Sequence, residues 1–176
     1  YFPKFFHPDP TVDRQSGFLQ PRISNSNILG NSFTLPYYNV ISMNKDNTFT
    51  PTIFDGNTQM FQNEYRQKNE NSNFIADLGY VNNFKSNLFN KKKNISHLFA
   101  KYNLDFDLNN FQTSNLSLSA EKVTNDTYLK VFNSYFNENS LVPTNEEILK
   151  NELKINLEND NFTLSGGATI FENLKL

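Results

Sequence analysis

His97-Leu-Phe-Ala-Lys-Tyr-Asn-Leu-Asp-Phe-Asp-Leu108 is the stretch whose pattern decides the fold. Leu98, Ala100, Tyr102, Leu104, Phe106 and Leu108 fall on one face, and Phe99, Lys101, Asn103, Asp105 and Asp107 on the other. Alternation sustained over such a length belongs to a long β-strand with one apolar and one polar face, because successive side chains of a strand point to opposite sides. The period recurs on both sides of this stretch. Phe74, Ala76, Leu78 and Tyr80 alternate with Ile75, Asp77 and Gly79, and Leu116, Leu118 and Ala120 with Asn115, Ser117 and Ser119. Leu153, Ile155 and Leu157 alternate with Lys154, Asn156 and Glu158, and Phe162, Leu164, Ala168 and Ile170 carry an apolar face across Gly166. Segments 32–42, 47–54 and 58–67 alternate less cleanly. The pattern predicts an all-β, antiparallel up-and-down sheet of about eight to ten strands, near the length of a tilted membrane-crossing strand.

Connections are expected to alternate in length. Met43-Asn-Lys45, Lys68 to Asn71, Asn109-Asn110 and Glu158 to Asn161 read as short, Asn82 to Asn94 and Val123 to Glu146 as long. Short turns at one rim and long loops at the other characterise outer-membrane barrels, and a sandwich shows no such division. Two helical exceptions are considered. Thr144-Asn-Glu-Glu147 fits a capping box, so a short helical turn at Ile148 and Leu149 is a minority alternative to strand there, with strand resuming by Leu153. Asp126 to Tyr135 reads as partly helical or irregular.

Composition narrows the function classes. Of 176 residues, 37% are hydrophobic and 15% aromatic, with 18 Phe and 8 Tyr. This leaves a soluble all-β protein and a membrane barrel both open, since only alternate residues of a barrel strand need be apolar. The aromatics accordingly read either as sandwich core or as interfacial girdles, with Tyr37-Tyr38 and Phe99 with Tyr102 as girdle candidates. A net charge of -2 gives no basic field for nucleic acid, and Lys91-Lys-Lys93 reads as a solvated loop. Cysteine is absent from the sequence, which excludes a disulfide or Cys-ligated metal within it. The chain opens on Tyr1-Phe-Pro-Lys4 and is expected to be a fragment.

Catalytic chemistry finds no support. His7 and His97, the two histidines, have no ligand-spaced partner; His7 reads as a loop residue and His97 as a rim or lumen residue at a strand start. Asp105 and Asp107 share a strand face, as expected of polar residues lining a watery lumen. No nucleophile elbow, phosphate-binding loop or metalloprotease motif occurs, and Gly166-Gly167 marks a bulge or close packing. No catalytic, metal or cofactor residue is predicted.

The first third of the chain carries a different signal. Ser16-Gly-Phe-Leu-Gln-Pro21, Phe33-Thr-Leu-Pro-Tyr-Tyr38 and Asp46-Asn-Thr-Phe-Thr-Pro51 read as successive strands, each with a proline, and Asn63-Glu-Tyr-Arg66 as a fourth. Proline cannot donate to a ladder and is normally excluded from central strands. Three in succession predict a sheet weakly zipped along one region, with Pro21 and Pro36 at its centre.

These segments resemble, in order and spacing, the start of the barrel of the LptD (organic-solvent-tolerance) family of outer-membrane LPS-assembly proteins. Ser16, Gly17, Phe18 and Leu19 are similar to its opening strand, Leu35, Tyr37 and Tyr38 to the second, Asp46, Thr50 and Pro51 to the third with its preceding turn, and Glu64, Tyr65 and Arg66 to the fourth. Val123 to Leu129 is similar to the passage from a later strand into a long surface loop. The resemblance implies a connector over residues 1–13 from a periplasmic β-jellyroll and N-terminal barrel strands over 14–176, too few to close the barrel. It implies a non-enzymatic role in assembling lipopolysaccharide (LPS) into the outer leaflet of the outer membrane of a Gram-negative bacterium, through a lateral barrel opening that Pro21 and Pro36 would soften. The partners it implies are LPS, the plug lipoprotein LptE, outer-membrane lipid and a periplasmic protein bridge reached through the jellyroll, with no cofactor. A generic porin or receptor barrel, and further off a soluble β-sandwich binding module, are the alternatives.

Overall fold

A computed structural model describes residues 14–85, 92–136 and 141–174. Eleven strands form one antiparallel sheet: β1 (Gly17–Phe18), β2 (Arg22–Ser26), β3 (Gly30–Thr34), β4 (Tyr37–Ser42), β5 (Lys45–Phe54), β6 (Gln59–Lys68), β7 (Ser72–Lys85), β8 (Lys92–Asp105), β9 (Thr113–Val123), β10 (Ile148–Glu158) and β11 (Thr163–Asn173). Strands take up 65% of the described chain, and its one α-helix, α1 (Tyr128–Phe132), is a single five-residue turn. β1 and β2 are two pieces of one broken strand, and β3 and β4 of another, because β5 pairs with β3 along its second half and with β4 along its first. Counted that way the sheet runs up and down in chain order and stays open. Among the described residues β2 pairs only with β3, and β11 only with β10. No helix there is long and apolar enough to cross a membrane, which says nothing about crossing by strands.

Several boundaries differ from expectation. β8 begins at Lys92, so Lys92 and Lys93 belong to a strand and not to a solvated loop, and it ends at Asp105, which leaves Phe106 and Leu108 in the following turn. β7 extends to Lys85 past an irregularity between Val81 and Phe84, where Asn83 adopts a positive φ of 59°. Ile148 opens β10 directly: cross-strand pairing with β11 from Ile148–Asn173 onward sets aside the minority helical alternative that the capping pattern offers. The helical turn expected within 126–135 is present as α1 followed by a 3-10 turn at Asn133–Tyr135. Gly166 and Gly167 sit in unbroken register with Ile155 and Lys154, so there is no bulge. Close packing holds, since a Cβ on Gly167 would lie 2.5 Å from the Leu153 carbonyl oxygen. Among the described residues one rim carries only short connections (43–44, 69–71, 106–112, 159–162), and the opposite rim carries the short 27–29 and 55–58 turns and the long link between β9 and β10. Of the expected 82–94 loop, 82–85 and 92–94 are strand and 86–91 lie outside the described residues.

Register sorts the side chains onto two unlike faces. Leu78 pairs with Leu98; Ala76 with Ala100 and Ala100 with Ala120; Phe74 with Tyr102, Tyr102 with Leu118 and Leu118 with Leu153. These residues form an open apolar face, on which Leu78 is 52% exposed, Leu118 41% and Leu153 43%. The opposite face is polar, with Asp46, Thr48, Thr50, Thr52, Gln62, Glu64, Asp77 and His97 all buried. A water-soluble sheet normally places these faces the other way round.

After β9, residues 124–136 fold from the rim back over the polar face and supply the core. Tyr128, Leu129, Phe132, Tyr135 and Phe136 bury against Phe54, Met60, Val81, Phe84, Ile95, Phe99 and Val123. A five-residue helix is unstable alone. Burial holds this one in place, at about 1.5–3 kcal/mol for each large side chain removed from water. Phe99 is thus core, stacked on His97 at 4.4 Å, and not part of a girdle with Tyr102. The His97 ring lies over Gly79, where a Cβ would meet its Cε1 at 2.1 Å. Gly79→Ala is therefore expected to cost about 1–3 kcal/mol through overpacking. Gly17→Ala, with nothing within 4 Å of its Cβ, is expected to change little. Thermal unfolding of the two variants side by side checks the contrast.

Candidate functional site at the proline seam

Register gathers the residues that carry the family pattern, which lie on four separate segments, into one patch at the β1–β6 end of the sheet. Gly17 pairs with Tyr38 and Phe18 with Tyr37, the latter rings 5.1 Å apart. Ser16 accepts the Val40 N–H at 2.8 Å. Beyond Phe18 the ladder breaks. Leu19 N–H donates to the Pro36 carbonyl at 2.8 Å, and Leu35 N–H to the Pro51 carbonyl at 3.2 Å. The N–H and C=O of a strand residue point to the same side, so a hydrogen-bonded antiparallel pair normally exchanges two bonds. Pro36 and Pro51 have no N–H to return, and the Leu19–Pro36 and Leu35–Pro51 pairs keep one bond each. Each missing bond forgoes about 0.5–1.5 kcal/mol. Pro21 acts differently: pairing steps from Phe18–Tyr37 to Arg22–Thr34, so Leu19, Gln20 and Pro21 face only Leu35 and Pro36, an extra residue as in a bulge. The result is a diagonal seam across the first three strands, with the β2–β3 hairpin on its far side.

Below the seam the same strands are tied by charge. Asp46, at 4% exposure, takes Arg66 Nε at 2.7 Å on one oxygen and Arg14 on the other. Arg14 also donates to the Tyr38 hydroxyl, and Arg66 Nη1 reaches Glu64 at 3.3 Å. Both guanidinium groups lie over the Tyr38 ring, 5.7 and 5.9 Å from its centre. Tyr38 therefore serves this ionic tie and not a girdle. Tyr65, one residue on, points to the other face and donates to Gln67 at 2.9 Å. Thr50, fully buried beside Pro51, has no hydrogen-bond partner for its hydroxyl among the described residues.

The histidine and aspartate expectations come out differently. His97 is neither at a strand start nor open to a lumen. It is 3% exposed, with Nδ1 2.8 Å from the Tyr128 hydroxyl and Nε2 3.5 Å from Asp77 Oδ1. Burial, reinforced by Asp77, pushes the Tyr128 hydroxyl well above the usual tyrosine range. The Nδ1–hydroxyl contact is a hydrogen bond whichever atom donates, and Nε2 faces Asp77. Asp107 lies outside the strand and donates its N–H to Asp105 Oδ1 at 3.1 Å, so the two aspartates shape a turn. Among the described residues no three His, Cys, Asp or Glu side chains gather where they could hold a metal ion. His7 falls outside the described residues. Arg14, Asp77 and Tyr128 lie in stretches whose strand or family pattern is legible in the sequence, but their partners are not; those come only from register and from the fold-back of 128–136.

No family model matches the chain. It is 29% identical over 136 residues to LPS-assembly protein LptD of Idiomarina loihiensis, a match that covers 77% of this chain and 17% of that protein. It is 37% identical over 84 residues to LPS-assembly protein LptD of Hahella chejuensis, covering 46% of this chain and 10% of that protein. The chain is thus LptD-like in sequence and corresponds to a small part of these relatives' length.

Asp46→Asn removes the charge that both arginines share. Hydrogen bonds to charged groups contribute about 1.5–3 kcal/mol, less where the arginines are half exposed. The expected outcome is faster amide exchange at Gly17 and Phe18 with the β7–β8 ladder unchanged, as read by hydrogen–deuterium exchange.

Proposed function

We propose that this chain is the opening part of an LptD-type outer-membrane barrel, in a protein that assembles LPS into the outer leaflet of a Gram-negative outer membrane. The observation that carries the reading is the inverted sheet, with its apolar face open and its carboxylates, amides and hydroxyls on the face that residues 124–136 cover. In a barrel the first face meets lipid and the second the lumen. Lys122 and Glu172, paired at 2.7 Å, stand at the end of the apolar band near the long-connection rim. Arg14 bonds to the Met43 carbonyl at 3.5 Å, so the chain enters the sheet at the short-connection rim. Residues 1–13 then form the connector from a periplasmic jellyroll, residues 14–176 the first strands, and the long-connection rim faces outward.

LPS is the substrate on this reading, and the partners are the LptE plug lipoprotein in the lumen and the periplasmic bridge upstream. The protein does no covalent chemistry. The proline seam favours this function over a general porin or receptor barrel. A substrate that must leave sideways needs strands that part, and the seam lowers the cost of parting near the first strand. In lipid an unpaired carbonyl costs several kcal/mol, so the seam also requires the local backbone to be solvated or splayed.

Two experiments on the full-length protein test the reading. Leu118 sits mid-strand on the open face, and Leu118→Arg is expected to cost about 2–4 kcal/mol of folding stability in bilayers, against little for Ser117→Arg on the other face. Leu104, next to the end of β8, should tolerate arginine at about 0–1 kcal/mol. Equal costs at Leu118 and Ser117 would remove the lipid-facing assignment. For the seam, replacing both Pro21 and Pro36 with residues that donate an N–H is expected to slow LPS arrival at the cell surface at matched protein levels. Unchanged delivery reduces both prolines to strand-break residues.

A further inference from the structure

We propose that the fold-back at 128–136 is a latch on the β2–β3 hairpin, so that the far side of the proline seam moves only when this latch lets go. The inference rests on the reading of the seam as a soft joint and adds what regulates it. Beyond the seam the hairpin is joined to the sheet by a short ladder, Ser32–Phe54, Phe33–Ile53 and Thr34–Thr52. The Thr34 and Thr52 hydroxyls meet at 2.8 Å, and Asp55 accepts from the Asn31 backbone and side chain at 3.0 and 2.9 Å. These contacts all belong to β5 and the turn after it.

The remaining hold comes from far along the sequence. Tyr135 places its hydroxyl 3.4 Å from Ser32 Oγ, and both residues are buried. Its ring meets Phe54 edge-on at 4.9 Å, and Leu29 at the hairpin tip joins the same apolar cluster. The opposite end of the fold-back is fixed to the stiff middle of the sheet. Tyr128 bonds His97 on β8, Phe132 lies 5.5 Å from Phe84 on β7, and Phe136 lies 5.8 Å from Phe99. Lys130 pairs with Glu147 just before β10 at 3.0 Å. One rigid cluster therefore reaches from the 14-residue strands β7 and β8 to a hairpin whose own ladder is short and adjoins a line of missing hydrogen bonds.

The test is hydrogen–deuterium exchange on the full-length protein in lipid, comparing wild type, Tyr135→Ala and the pair Tyr135→Phe with Ser32→Ala. In wild type the Leu19 and Leu35 amides should exchange faster than the β7–β8 ladder. In Tyr135→Ala, exchange within residues 22–34 should rise about tenfold or more with β7–β8 unchanged, as expected of a local opening unit. The Tyr135→Phe and Ser32→Ala pair keeps the ring but loses the hydroxyl contact, and should show a smaller rise in the same place, read against Ser32→Ala alone, which by itself loses the 3.3 Å bond from Ser32 Oγ to the Ser24 carbonyl. A wild-type seam as slow as β7–β8 overturns the soft joint and the latch together. A fast seam with hairpin exchange unmoved in the variants, or a rise spread evenly over all strands, overturns the latch alone. Should Tyr135→Ala fail to assemble, the hydroxyl-only pair decides by the same criterion.

Discussion

Everything in this sheet depends on register. A slip of one residue would turn Leu98, Ala100 and Tyr102 onto the face that carries Asp77 and His97. Long pairings prevent it: β6 with β7 and β10 with β11 keep one frame from end to end, and β7 with β8 departs from it only past Val81. The apolar band, the buried polar row and the position of every ionic contact follow from that frame.

A polar face under an aromatic cluster poses a problem that the fold solves in part. His97 finds Tyr128, and Asp46 finds two arginines, whereas both Asp77 oxygens and both amide atoms of Gln62 are buried without a hydrogen-bond partner among the described residues. Such groups are costly in a dry core. Gly79 belongs to the same solution, since the imidazole can lie across the strand only where no side chain stands.

The strands and their faces were legible in the sequence because period two is a local property. Leu98 to Leu104 and Leu116 to Ala120 read correctly from spacing alone. At Pro36 the missing N–H is a property of the residue itself, whereas the extra residue at Pro21 shows only in the register. Where the reading erred, a long-range contact decided. Phe99 and His97 became core because the connection after β9 folds back over them. Tyr38 left the aromatic girdle for the ionic tie because Arg14 and Arg66, far apart in sequence, both lie over its ring.

Stiffness is consequently graded across the molecule. β7 to β9 pair at length, β1 is held at its base by Arg14 and Asp46, and between that tie and the β2–β3 hairpin lies a line of pairs with one bond instead of two. A strand clamped at one end and softened in its middle bends at the softened point, because the ladder there resists least. The tie and the seam therefore act together. Without the tie, loss of ladder bonds would fray the whole first strand; on the proposed reading, the tie concentrates movement at Pro21 and Pro36 and the hairpin follows as one piece. That piece meets the sheet's stiff middle through Tyr135, which touches Ser32, and through Leu29 in the aromatic cluster around it.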